Sequence, residues 1–124
     1  MKMHLIEPDV CTQTTPTVLL IHPMLSSAEG MKTVLVNTMG SDLRYLVPDL
    51  AAHGEEDAKE YVSASQEAAQ IHDWLLEHNM THLSLGFGAS LGGVVLCELL
   101  KFTDLAFDHL FFEGTSFWTG GFLA

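Results

Sequence analysis

Ser90 stands in Gly88-Ala89-Ser90-Leu91-Gly92, a G-x-S-x-G arrangement. A serine with glycines two residues to either side can occupy a turn too tight for bulkier neighbours, its hydroxyl projecting clear of the backbone. A helix beginning directly after it would aim its first N–H groups, and the positive end of its dipole, at charge developing on a carbonyl oxygen. The chemistry this suits is attack of the serine hydroxyl on a carbonyl carbon, with an acyl-enzyme as intermediate. A serine hydroxyl needs a base for that at neutral pH, and the only histidine after Ser90 is His109. The other side chains offer little competing chemistry. No H-E-x-x-H motif is present, so no metal is expected, and no cofactor is. Cys11 and Cys97 are too few and too far apart for a disulfide scaffold or a zinc site.

The elements that must position Ser90 follow from the apolar pattern. Continuous apolar runs at residues 17–22, 44–47, 82–87 and 109–113 read as strands covered on both faces. Between them, Ser26-Ser27-Ala28-Glu29 reads as a capping box opening a helix to about Met39, with Gly40 as its stop. Tyr61, Ala64, Ala68, Ile71 and Leu75 fall at helical spacing within a helix over about 59–78, with Glu and Gln on much of its other face. Residues 94–102 are apolar nearly all round and read as a buried helix. Strand–helix alternation of this kind gives an α/β three-layer sandwich, a mostly parallel sheet with helices on both faces. Ligands bind such sheets beyond the carboxyl ends of the strands. That directs attention to His22–Leu25, Asp49–Gly54, Gly88–Gly92 and Glu113–Phe117.

Three segments together resemble the N-terminal half of an α/β-hydrolase, over about residues 17–117. V-L-L-I-H-P-M at 18–24 is similar to the strand and turn that supply one oxyanion-hole N–H. V-P-D-L-A-A-H-G at 47–54 is similar to the P-D-x-x-G-H-G loop, and L-S-L-G-F-G-A-S-L-G-G at 83–93 to the nucleophile elbow. The resemblance implies a partial α/β-hydrolase fold and a carboxylic ester as substrate. It makes Ser90 the nucleophile, and the backbone N–H groups of Met24 and Leu91 the oxyanion hole. His22 braces its turn rather than transferring protons, and His22 and Leu25 line the substrate side. Glu113 ends a strand just beyond the elbow strand, where some family members carry their catalytic acid; the competing reading is a strand-end glutamate turned to solvent. Pro23 replaces a glycine after His22, and Ala52 one before His53. The family's later histidine, its catalytic base, has no counterpart in this chain.

Size and charge bound the remainder. The chain has 124 residues, enough for one domain with a real core and too few for two. Sixteen acids against five bases give a net charge of −11, which opposes nucleic acid as a partner. No stretch is long enough to span a bilayer, and the acidic, His-containing first residues make no signal-peptide core, so a reducing cytoplasm is the expected location. The strand at 109–113 would be an apolar sheet edge, and the tail adds Phe117, Trp118, Phe122 and Leu123. The expectation is a single domain truncated at its C-terminus, or a homodimer through that edge. Two other functions fit less of the pattern. One is a non-catalytic binding module of the same fold, favoured by the missing base. The other is a dinucleotide-binding domain, for which Gly86, Gly88 and Gly92 are misspaced.

Overall fold

The computed structural model describes residues 1–24, 26–56 and 60–114. Five strands form one sheet: β1 (Lys2–Ile6), β2 (Thr17–Ile21), β3 (Arg44–Asp49), β4 (His82–Ala89) and β5 (Ala106–Glu113), in the order β1-β3-β2-β4-β5. β3, β2, β4 and β5 run parallel, and β1 pairs antiparallel with β3. The mostly parallel sheet read from the sequence is therefore present, with one strand more than expected.

Helical segments cover both faces. On one side lie α1 (Ala28–Met31), a π-helical turn at Lys32–Val36 and α2 (Asn37–Met39); on the other lie α3 (Ala64–Glu77) and α4 (Leu91–Leu99). β2 is buried along its whole length, and its side chains alternate between the layers as strand geometry requires. Leu19 and Ile21 join Ile71, Leu75, Leu96 and Leu99 under α3 and α4. Val18 and Leu20 join Ala28, Met31 and Val36 under α1 and the π turn.

Several boundaries differ from the sequence reading. The first helix is capped by Ser27, whose Oγ accepts from Gly30 N–H at 3.2 Å, rather than by Ser26. α3 begins at Ala64 because Ser63, in extended conformation, caps it by accepting from Gln66 N–H. α4 begins at Leu91, directly after Ser90 as the elbow motif implies and three residues before the apolar stretch at 94–102. β5 begins at Ala106 rather than His109, so His109 lies within the strand. No helix among the described residues is long and apolar enough to cross a membrane.

Candidate active site

The elbow is built by close approach. A Cβ on Gly88 would lie 2.6 Å from the Gly92 carbonyl oxygen and 2.7 Å from Gly93 Cα. A Cβ on Gly92 would collide with the carbonyl oxygens of Ile21 and His22. The first glycine thus lets the strand meet the helix, and the second lets α4 press against the end of β2. Between them Ser90 has φ 51° and ψ −113°, a left-handed conformation that is costly for a residue with a side chain. Its N–H donates to the Glu113 carbonyl at 2.8 Å, and its own carbonyl accepts from Gly93 and Val94 N–H at 3.0 and 3.2 Å. The strained turn is therefore held from β5 on one side and α4 on the other. Ser90 itself is exposed, at the carboxyl ends of the parallel strands.

His22 ends β2 on the neighbouring turn and is fully buried. Leu50 N–H donates to its Nε2 at 3.0 Å, so Nε2 carries no proton, and Nδ1–H donates to the Pro23 carbonyl at 2.7 Å. One neutral tautomer is thereby fixed. Burial lowers the His22 pKa; the bond to Pro23 opposes this, His53 reinforces it and Asp49 opposes it. The Pro23 carbonyl also accepts from Ser26 N–H at 3.3 Å. Carbonyl and N–H point in opposite directions across a planar trans peptide. Holding the Pro23 carbonyl toward His22 therefore turns the Met24 N–H the other way. As a substrate-lining side chain His22 fails on burial: both ring nitrogens are engaged with backbone. Met24 is 60% exposed. Leu25 lies outside the described residues, as do Phe117, Trp118, Phe122 and Leu123.

Two buried carboxylates support this end of the sheet: Asp49, within the loop the sequence singled out at 49–54, and Glu67, which the sequence reading missed. Asp49 Oδ1 accepts from Ala28 N–H at 2.7 Å, at the start of α1, while its Oδ2 pairs with His4 Nε2 at 2.7 Å. Glu67 Oε1 accepts from Ala51 N–H at 2.7 Å. Each is only 2% exposed. The loop they hold carries His53, whose Nδ1 bonds to the Ala51 carbonyl at 2.9 Å and whose ring centroid is 5.0 Å from that of His22. Ala52 in the same loop has φ 67°, where the resembling loops carry glycine.

The remaining histidines are engaged elsewhere. His72 pairs with Asp104 and His82 with Asp108, each at 2.8 Å. His78 stacks on Trp74. His78 and His82 stand four residues apart, an H-x-x-x-H spacing the sequence reading wrongly took to be absent, but α3 ends at Glu77 and His82 opens β4. Among the described residues, no group of three His, Cys, Asp or Glu side chains could hold a metal ion. His109 lies four residues before Glu113 on β5, about 13 Å from the strand end that meets Ser90. A cleft of about 670 Å³ lined by Glu7, Asp9, Asp42 and Tyr45 opens at the opposite end of the sheet from Ser90.

No protein-family model and no curated protein sequence matches the chain. Solved structures do match it. A protein from Desulfitobacterium hafniense, assigned to the α/β-hydrolase family, superposes with a TM-score of 0.81 at 22% identity over 93% of this chain and 44% of that one. An N-acyl homoserine lactonase superposes at 0.70 with 21% identity, over 91% and 40%. An α/β-hydrolase from Novosphingobium aromaticivorans superposes at 0.68 with 17% identity, over 89% and 38%. The chain thus has the α/β-hydrolase fold in part, spanning well under half the length of these structures.

Proposed function

We propose that this chain belongs to a serine hydrolase that cleaves a carboxylic ester through an acyl-enzyme on Ser90. One observation carries the reading: a non-glycine residue is held at φ 51° between two glycines whose hydrogens alone fit the space. Left-handed strain of this kind is retained where a side chain must be presented to a ligand. Ser90 Oγ attacks the carbonyl carbon, its proton passes to a base and on to the alcohol that leaves as the ester C–O bond breaks, and water then attacks the acyl-enzyme to release the acid and return the proton to Ser90. Leu91 N–H, among the helix-start donors that lack an intrahelical acceptor, holds the oxyanion together with the outward-turned Met24 N–H. His22 serves by fixing that turn rather than by touching substrate. Glu113 is the acid, brought beside the elbow by its backbone bond to Ser90. The substrate class includes lactones, the kind of ester named for one of the structures of like fold.

A second reading is favoured by the histidines. Six of the seven are hydrogen-bonded to backbone or carboxylate partners, and His109 sits well down β5. On this reading the chain binds an acyl compound without turning it over.

Intact mass after treatment with a fluorophosphonate separates the two. The hydrolase reading expects one adduct per chain, absent in Ser90→Ala. Well-folded protein that takes no adduct overturns an activated Ser90 within this chain and leaves the binding module as the reading for it.

A further inference from the structure

The turn that carries Met24 begins at His22, after β2, and enters α1 at Ala28. Both of its ends are held from the end of β3, by two consecutive residues. The Leu50 N–H donates to His22 Nε2 at 3.0 Å, and the Ala28 N–H donates to Asp49 Oδ1 at 2.7 Å. We infer, on the reading of Ser90 as nucleophile and of the Met24 N–H as an oxyanion donor, that Asp49 is a positioning residue. With Leu50 it sets the direction in which the Met24 N–H points.

A buried carboxylate that did no more than satisfy a helix start would be out of place here. α1 already has its cap in Ser27, whose hydroxyl accepts from Gly30 N–H. It is also only four residues long, a small return for burying a carboxylate to 2% exposure against the cost of desolvation. The Asp49 carboxylate is itself immobilised. Its Oδ2 pairs with His4 Nε2 on β1 at 2.7 Å, and a Cβ on Gly54, which sits at φ 53°, would collide with it. An acceptor held from two sides fixes the N–H it binds. The Pro23 peptide lies between the two clamps. His22 Nδ1–H and Ser26 N–H both donate to its carbonyl, which leaves the Met24 N–H on the opposite side of the peptide plane. Releasing Ala28 would free the far end of the turn and leave the His22 ring alone to orient that peptide. An oxyanion donor is effective because it is held in place before charge develops.

The test compares the full chain with Asp49→Ala, and with Asp49→Ala joined to Ala28→Pro. Ala28 is the first residue of α1, where the missing N–H of proline is tolerated. Ser27 before it is extended, as a residue preceding proline should be. The double variant leaves no buried N–H unpaired at position 28, so in urea it should regain much of the stability lost in Asp49→Ala. If Asp49 were purely structural, function would return with stability; a positioning residue predicts that it does not. The NMR order parameter of the Met24 amide should fall from about 0.85 in the wild type to below about 0.6 in both variants. Fluorophosphonate labelling of Ser90 should slow about 10- to 100-fold in both, less than removing a donor outright. Slowed labelling with Met24 still ordered overturns the proposal, and so does a loosened Met24 with labelling unchanged. A wild-type Met24 amide already below about 0.6 overturns it without any variant. A wild-type chain that is never labelled fails the hydrolase reading instead. The Met24 amide then decides the clamp alone, a loosened one in the variants upholding it and an ordered one overturning it.

Discussion

Ser90 and Ala52 are the residues where backbone strain is concentrated near the site, at φ 51° and 67°. Glycine relieves that strain, so Ser90→Gly and Ala52→Gly should each raise stability by about 1 kcal/mol in urea unfolding, net of the entropy glycine adds to the unfolded chain. Ser90→Ala, still bearing a Cβ, should not. His22 makes a different demand. Its folded pKa is depressed, so the unfolded chain binds the extra proton first. The stability that neutral His22 contributes is complete above its unfolded pKa, near 6.5, and is lost as pH falls toward the folded value. Urea midpoints should drop between about pH 7.5 and about pH 5.5, and His22→Asn should flatten that part of the profile. Ser90 was legible in the sequence because its glycines bracket it in one short motif. The loop holding Asp49 was legible too, but the bond from Ala28 N–H to Asp49 was not, nor was Glu67, because each carboxylate meets a backbone N–H from a distant segment. Glu67 did leave one trace: it sits one position before Ala68 and four before Ile71, on the apolar stripe of its own helix.

At the scale of elements, the sequence carried the strands whose residues are apolar on both faces and lost those defined by pairing. β1 is five residues long and half-exposed, and exists through its ladder with β3. The start of β5 carries Ala106 and Phe107, but Asp108 and His109 separate them from the apolar run at 110–112 that marked the strand. Nor did anything announce the π turn at Lys32–Val36. Capping shows how fine the local signal is. S-S-A-E offers two serines, and the structure uses the second. Ser27→Ala should therefore cost about 1 kcal/mol, while Ser26→Ala costs a few tenths at most, a difference readable in thermal midpoints. Packing sets the tolerance at the other end of the site. Gly92→Ala would push α4 off the end of β2 and should destabilise by about 1–3 kcal/mol, visible in the same measurement.

The whole molecule carries −11 with few bases to answer its acids. Arg44 is shared with Glu7, and Lys101 is spent on Glu98. Self-repulsion of that size works against the compact state and is screened by salt. Raising ionic strength from about 0.02 M to about 0.5 M should stabilise the fold by on the order of 0.5 kcal/mol in urea titrations. The strand order has a further consequence, in the timing of synthesis. β2 is the most deeply enclosed strand, yet Leu19 pairs with Leu46 on one side and Gly86 on the other. At roughly 5–20 residues per second, its second neighbour is made several seconds after it. Throughout that interval the nascent chain carries T-V-L-L-I without its sheet. That segment is where a chaperone would be needed first, and slower translation between β2 and β4 would lengthen the exposure.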